Sequence, residues 1–264
     1  MAESAYALAT DGTRLAFDIH GAGKPLVLLS GQAQDRHMWD LSVPLFAQHF
    51  QVIRLDYRGT GNSDKPRDPP YSTRLLAADT IAVLNTLDIE RAHIYGISLG
   101  GRVGQWLGID YAERLGALVL GATAPGKLGI ARDAEANQWL MTGNIQQVAT
   151  LQYSAAFAAM HPELLIPAPT PPFARRLHYQ ASEQHDTLDL LATIRAPTLI
   201  IHGSDDRINP TANAHLMASR IPNAKLHLLP GAKHGYVDEF RQEAYEIVSD
   251  FLIQHSIGEH KLFH

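Results

Sequence analysis

The chain of 264 residues contains no cysteine. That removes disulfides, zinc-thiolate sites, iron–sulfur clusters and a thiol nucleophile, and with them any mark of an oxidising compartment. Basic residues are scarce. The 22 Lys and Arg stand against 27 Asp and Glu, a formal charge of −5, so bulk electrostatics do not draw the chain to nucleic acid. Long apolar runs are missing as well; each covers only a few residues, against roughly 20 for a bilayer crossing. The opening Met1-Ala-Glu-Ser-Ala-Tyr6 has neither the basic nor the apolar stretch of a signal peptide. These absences lead us to expect a cytoplasmic protein with no nucleic-acid or membrane partner; a homo-oligomer stays open. What is present, 45% apolar and 19% charged residues, is the balance of a globular chain with a large core.

Short β-rich apolar runs alternate with helical patterns. Leu26–Leu29, Val52–Leu55, His93–Ile97, Leu118–Ala122 and Thr198–His202 read as strands buried on both faces, as in a parallel sheet. Leu76, Thr80, Ile81, Leu84 and Leu87 recur at helical spacing, as do Leu99, Val103, Trp106 and Leu107. Tyr6–Ala9 and Arg14–His20 read as a hairpin turning at Asp11-Gly12. The expectation is an α/β fold: an antiparallel start, then βα repeats in a mostly parallel central sheet with helices on both faces. The regularity breaks after Thr123-Ala-Pro-Gly126 and returns at Ala196. The text between them, about 60 residues, is too long for a simple loop. We read residues 127–186 as a helical cap inserted in a core made of 1–126 and 187–264. The cap lies over the carboxyl edge of the sheet, where ligands of such folds sit. Ile257–His264 reads as a frayed tail.

Gly96-Ile97-Ser98-Leu99-Gly100 follows a strand and opens a helix. In that context G-x-S-x-G is a nucleophile elbow, a turn sharp enough to leave the serine hydroxyl exposed above the sheet. A serine hydroxyl needs a base to take its proton and an acid to orient the base, in the chain order Ser, Asp or Glu, His on such a fold. After Thr198–His202 comes Gly203-Ser-Asp-Asp-Arg-Ile-Asn-Pro210, which offers Asp205 and Asp206. After the strand Leu226–Leu229 comes Pro230-Gly-Ala-Lys-His-Gly235, which offers His234 as the base. Asp206 is the favoured acid, with Asp205 the better candidate for a surface or helix-capping role. A tetrahedral intermediate needs two N–H donors. One is the Leu99 amide; the other falls in the loop Ser30-Gly-Gln-Ala-Gln-Asp-Arg-His-Met-Trp39, with Gln32 the leading choice. No motif asks for a cofactor. The spacing of His227 and His234 across a strand and loop does not suit a metal.

With these residues in hand, the chain resembles the α/β-hydrolase superfamily over nearly its whole length. Asp56-Tyr-Arg-Gly-Thr-Gly-Asn-Ser63 resembles the superfamily's D-x-R-G-x-G-x-S turn. Arg36-His-Met-Trp-Asp40, the stretch Leu87–Gly101 and Gln105–Ile109 are similar to 3-oxoadipate enol-lactonases and related carboxylesterases. In that pattern the acid is the second Asp of such a pair, often 28 positions before the histidine, and 234 − 206 = 28. The resemblance implies a cofactor-free serine hydrolase of a small ester or lactone. Two departures stand out. The loop that reads His-Gly in esterases and Asn-Ser in these lactonases is Ser30-Gly31 here. The cap tryptophan and arginine of the lactonases align with Ala134 and Asn137. Arg132 is the neighbouring cation able to compensate. Lys127, Arg175, Arg176 and His178 read as a solvated charged face, and His37 as a loop hydrogen-bonder. Perhydrolase or oxygenase chemistry on the same scaffold, or a non-catalytic ligand-binding cleft, are the competing readings.

Overall fold

An apolar run without polar alternation has to be covered on both sides. The computed structural model covers five of them in this way, packing β-strands between two layers of helices. The structure describes residues 5–68, 70–255 and 257; all but the first residue of the expected tail lies outside them. Among the described residues eight strands form one sheet. They are β1 Ala5–Leu8, β2 Arg14–His20, β3 Lys24–Leu29, β4 Phe50–Leu55, β5 Ala92–Ile97, β6 Leu115–Gly121, β7 Thr198–Gly203 and β8 Lys225–Leu229. The α-helices are α1 Val43–Phe46, α2 Thr73–Thr86, α3 Leu99–Asp110, α4 Ala134–Thr142, α5 Ile145–Gln152, α6 Ala155–Met160, α7 Pro172–Glu183, α8 Ala212–Arg220, α9 Tyr236–Glu239 and α10 Arg241–Gln254.

The strand order is β1-β2-β4-β3-β5-β6-β7-β8. The opening hairpin is antiparallel, with Leu8 opposite Arg14, and β2 is antiparallel to β4. The strands from β3 to β8 run parallel. Alternate residues feed opposite cores. Val27 and Leu29 face one side of β3, and Leu26 and Leu28 the other; Leu118 and Leu120 oppose Ala117 and Val119 on β6. The first core is closed by α2, α3 and α8 through Leu84, Val103, Leu107 and Met217. The second is closed by Trp39, by Phe46 of α1 and by Val248 and Leu252 of α10. At about 25 cal/mol per Å², each fully buried aliphatic side chain contributes roughly 1.5–3 kcal/mol.

Helices α4 to α7 occupy the long stretch between β6 and β7. The stretch is built from good local signals. Asp133, Asn144 and Ser154 each cap a helix by accepting a backbone N–H, at 2.7, 3.0 and 3.2 Å. The Pro-rich segment ends with Pro172 as the first residue of α7, where a missing N–H costs nothing. This stretch touches the loops at the carboxyl ends of the strands. The Gly235 amide donates to the Gln152 carbonyl at 2.9 Å, and the Thr170 hydroxyl to the Ala33 carbonyl at 2.9 Å. The D-x-R-G-x-G-x-S segment is a rigid turn. The Asp56 carboxylate accepts the Arg36 and Asn62 amides, both at 2.8 Å, and Arg58 is forked onto Asp79 at 2.7 Å. No helix among the described residues is long and apolar enough to cross a membrane.

Candidate functional site

Ser98 stands at the carboxyl end of β5, where the chain turns into α3. Its φ of 56° and ψ of −112° are a strained conformation for a residue with a Cβ, costing about 1–3 kcal/mol. The turn is this tight because the elbow glycines permit it. A Cβ on Gly96 would lie 2.2 Å from the Gly100 carbonyl oxygen, and one on Gly100 would lie 2.2 Å from that of Leu29. Three bonds fix the Ser98 backbone. Its N–H donates to Gly121 at 2.9 Å, and its carbonyl accepts from the Thr123 hydroxyl at 2.8 Å and the Arg102 amide at 3.2 Å. The side chain is left half-buried, and its Oγ makes no hydrogen bond among the described residues.

Asp206 and His234 come together from the loops after β7 and β8. His234 Nδ1 lies 2.8 Å from Asp206 Oδ2, and both residues are buried. The other carboxylate oxygen accepts the amides of Ile208 at 2.8 Å and Asn209 at 3.0 Å. A second histidine, His202 on β7, places its Nε2 3.2 Å from Asp206 Oδ2 and 2.8 Å from the Asn209 carbonyl, so its N–H is shared between them. Burial alone pushes the Asp206 carboxyl up. The charge of a protonated His234 and the hydrogen bonds from His202 and His234 outweigh it and hold the group well below the usual carboxylate range. An Asp206 kept ionised in this way fixes the His234 proton on Nδ1 and leaves Nε2 as an acceptor. Asn209 ties this loop to the elbow: its amide side chain donates to the Ala122 carbonyl at 2.7 Å, next to the residue that anchors Ser98.

Asp205 is exposed and accepts the Ser204 hydroxyl at 2.7 Å. It caps no helix, since α8 begins later, after Thr211, with no side-chain cap. The loop after β3 folds across the elbow; a Cβ on Gly31 would sit 3.9 Å from that of Ser98. Around Gln32 the neighbouring amides are occupied. Gly31 N–H faces Met38 Sδ at 3.2 Å, Ala33 N–H faces His178 Nδ1 at 3.4 Å, and Gln34 N–H returns to the Gly31 carbonyl at 3.2 Å. The Gln32 amide has no acceptor among the described residues. Leu99 opens α3, so its amide has no carbonyl one turn back in the helix.

Other side chains singled out in the sequence, and some that were not, are placed as follows. His178 is fully buried instead of lying on a solvated face, and burial pushes it down to about 4. Arg132 is pointed at Glu183, 3.7 Å away. His37 is exposed and pairs with Asp40 at 3.1 Å, as a loop hydrogen-bonder should. Arg102, buried on α3, donates to the Ser182 carbonyl and hydroxyl, both at 2.5 Å, and so fastens α7 to the elbow helix. A lone arginine four residues after a serine carries no local signal of that role. His202 is the one missed residue with a hint, since an i, i+4 separation from Asp206 across a strand end brings the two within reach.

The chain belongs to the alpha/beta hydrolase family, which matches residues 19–247. It is 32% identical over 230 residues to a putative carbamate hydrolase, RutD, of Pseudomonas syringae pv. syringae, covering 81% of this chain and 88% of that protein. It is 29% identical over 231 residues to 3-oxoadipate enol-lactonase 2 of Acinetobacter baylyi, covering 83% and 85%. Among solved structures, it superimposes on the enol-lactonase of Burkholderia xenovorans LB400 with a TM-score of 0.83, at 26% identity, covering 94% of this chain and all of the other.

Proposed function

We propose that the protein is a serine hydrolase that cleaves a small carboxylic ester or lactone through an acyl-enzyme. The observation that carries this reading is a strained, half-buried Ser98 at a strand-to-helix turn in a chain that also holds an imidazole with its Nδ1 2.8 Å from a buried carboxylate. His234 Nε2 takes the Ser98 proton as Oγ attacks the carbonyl carbon. Asp206 orients His234 and stabilises its cationic form. The amides of Leu99 and Gln32 receive the developing oxyanion. His234 then gives the proton to the leaving oxygen, which departs as an alcohol or, in a lactone, stays tethered to the acyl chain. A water that loses its proton to His234 attacks the acyl carbon, and as the acyl–Oγ bond breaks His234 returns that proton to Ser98 Oγ and the carboxylic acid leaves. Residues 127–186 form the cap that closes over this site, on a core of 1–126 and 187–264. The similarity to an enol-lactonase and to a putative carbamate hydrolase supports acyl transfer to water.

A panel of p-nitrophenyl acetate and butyrate, γ- and δ-lactones and an aryl carbamate, each run with Ser98→Ala as control, tests the reading. The expected result is turnover of at least the acetyl ester, lost by about 10³-fold or more in the variant. Ester turnover that survives the substitution overturns it.

A further inference from the structure

We propose that Thr170 and His178, both supplied by the cap, are positioning residues for the oxyanion hole. The inference rests on the reading of Gln32 as an oxyanion donor. Gly31 to Gln34 make a four-residue turn closed by the Gln34 amide on the Gly31 carbonyl at 3.2 Å. That bond points the carbonyl of the 31–32 peptide into the turn, and so sends the Gln32 N–H of the same planar peptide the opposite way. The third residue of the turn, Ala33, has φ 58°. At that position of a turn a positive φ favours glycine, and a residue with a Cβ stays there only where its surroundings hold it.

The holding is done from the cap. Ala33 is buried, and its two polar backbone atoms are both taken by side chains about 140 residues away in sequence. Its carbonyl accepts the Thr170 hydroxyl at 2.9 Å, and its N–H donates to His178 Nδ1 at 3.4 Å. His178 is itself fixed. Its Nε2–H donates to the Arg58 carbonyl at 2.9 Å, and its ring packs against Tyr71 and Tyr57 at centroid distances of 5.5 and 6.1 Å. Arg58 is in turn forked onto Asp79 and bonded to Asp11. The Nε2–H tautomer that Arg58 demands is the one that leaves Nδ1 free to accept from Ala33. Release of either bond frees Ala33 to leave its strained conformation and loosens the turn, and with it the closing bond from the Gln34 amide to the Gly31 carbonyl that sets the direction of the Gln32 amide. The cap therefore does two jobs: it covers the substrate, and it completes the hole in which the oxyanion is stabilised.

The test uses two variants of the full chain, Thr170→Val, which is nearly isosteric, and His178→Phe, which keeps the ring packing. Each is assayed with p-nitrophenyl acetate and with an aryl trifluoromethyl ketone, which adds to the serine as a charged hemiketal. Outright loss of an oxyanion donor costs about 10²–10³-fold in kcat. A misplaced donor should cost less, about 10- to 100-fold, with KM within about twofold and ketone affinity lowered by the same factor as kcat. Folded variants whose kcat and ketone affinity stay within about twofold of wild type overturn the proposal. So do variants in which kcat falls while ketone affinity holds. If His178→Phe fails to fold, Thr170→Val decides alone. Wild-type turnover that survives Ser98→Ala is a different failure, that of the serine reading itself.

Discussion

Replacing Asp206 by asparagine changes one atom and has a consequence that follows from four hydrogen bonds. Asp206 accepts the Ile208 and Asn209 amides on one oxygen and faces the ring nitrogens of His234 and His202 with the other. In Asp206→Asn the side-chain oxygen stays with the two amides, because they leave it no alternative. The new NH₂ group then faces two N–H donors. His202 retains the Asn209 carbonyl at 2.8 Å as its acceptor. His234 has no second acceptor at Nδ1 among the described residues, so its proton moves to Nε2 and Nδ1 accepts from the new amide. That tautomer has no lone pair for the Ser98 proton. The expected loss is about 10³–10⁴ in kcat, or about 4–5.5 kcal/mol of transition-state stabilisation, with little change in KM. Asp205→Asn, on an exposed side chain that caps nothing, should stay within about 0.5 kcal/mol of wild type in stability and leave the rate unchanged. Initial rates on p-nitrophenyl acetate at neutral pH decide the matter. An Asp206 variant within about tenfold of wild type refutes the tautomer argument. So does a dead Asp205 variant beside an active Asp206 one.

Three further outcomes are expected. Ser98→Gly should melt higher than Ser98→Ala by a few degrees. Glycine relieves about 1–3 kcal/mol of strain at φ 56° and gives back about 0.5–1 kcal/mol of chain entropy; calorimetry that ranks alanine higher contradicts the strain. Stability should fall as pH drops from about 6.5 towards 4. His93 and His178, both pushed down to about 4 by burial, and His185, pushed well below its usual value, stay neutral when folded and take up protons on unfolding. Each of the first two contributes on the order of 3 kcal/mol that is present above pH 6.5 and lost below it. His93 has no hydrogen-bond partner at either nitrogen among the described residues, so urea unfolding across this range should show His93→Leu taking up about one proton fewer. Finally, simple short-chain aryl esters should be turned over, while a dicarboxylic enol-lactone should be turned over about 10- to 100-fold less well than expected of an enol-lactonase, if the resemblance that sets Asn137 in place of the lactonase arginine holds. Arg132, already facing Glu183 at 3.7 Å, should restore little, so Arg132→Ala should change steady-state rates on the lactone by less than about twofold.

The parts of this molecule that were legible in the sequence are those decided by neighbours along the chain. Leu26–Leu29 and Leu118–Leu120 declare a strand buried on both faces because every position is apolar, and the elbow declares itself by glycines that sit where backbone meets backbone. Asp206 and His234 were legible through their order and their post-strand loops. The insertion of β3 between β4 and β5 was not, since nothing in Lys24–Leu29 says which neighbour it will pair with. His178 was misread for a related reason. In α7, with Arg175 and Arg176 just before it, it looks solvated. Its burial comes from Tyr57, Tyr71, Arg58 and Ala33, all more than 100 residues away in sequence. Arg102 and Ser182 are likewise coupled only by the packing of α3 against α7.

The central claim is that Ser98 is the nucleophile, and labelling with a fluorophosphonate followed by mass spectrometry of the digested protein tests it most directly. The account predicts a single adduct, on the peptide that contains Ser98, formed in step with loss of ester hydrolysis and absent from Ser98→Ala. An adduct on another peptide, or hydrolysis that continues unchanged once Ser98 is fully labelled, would contradict it.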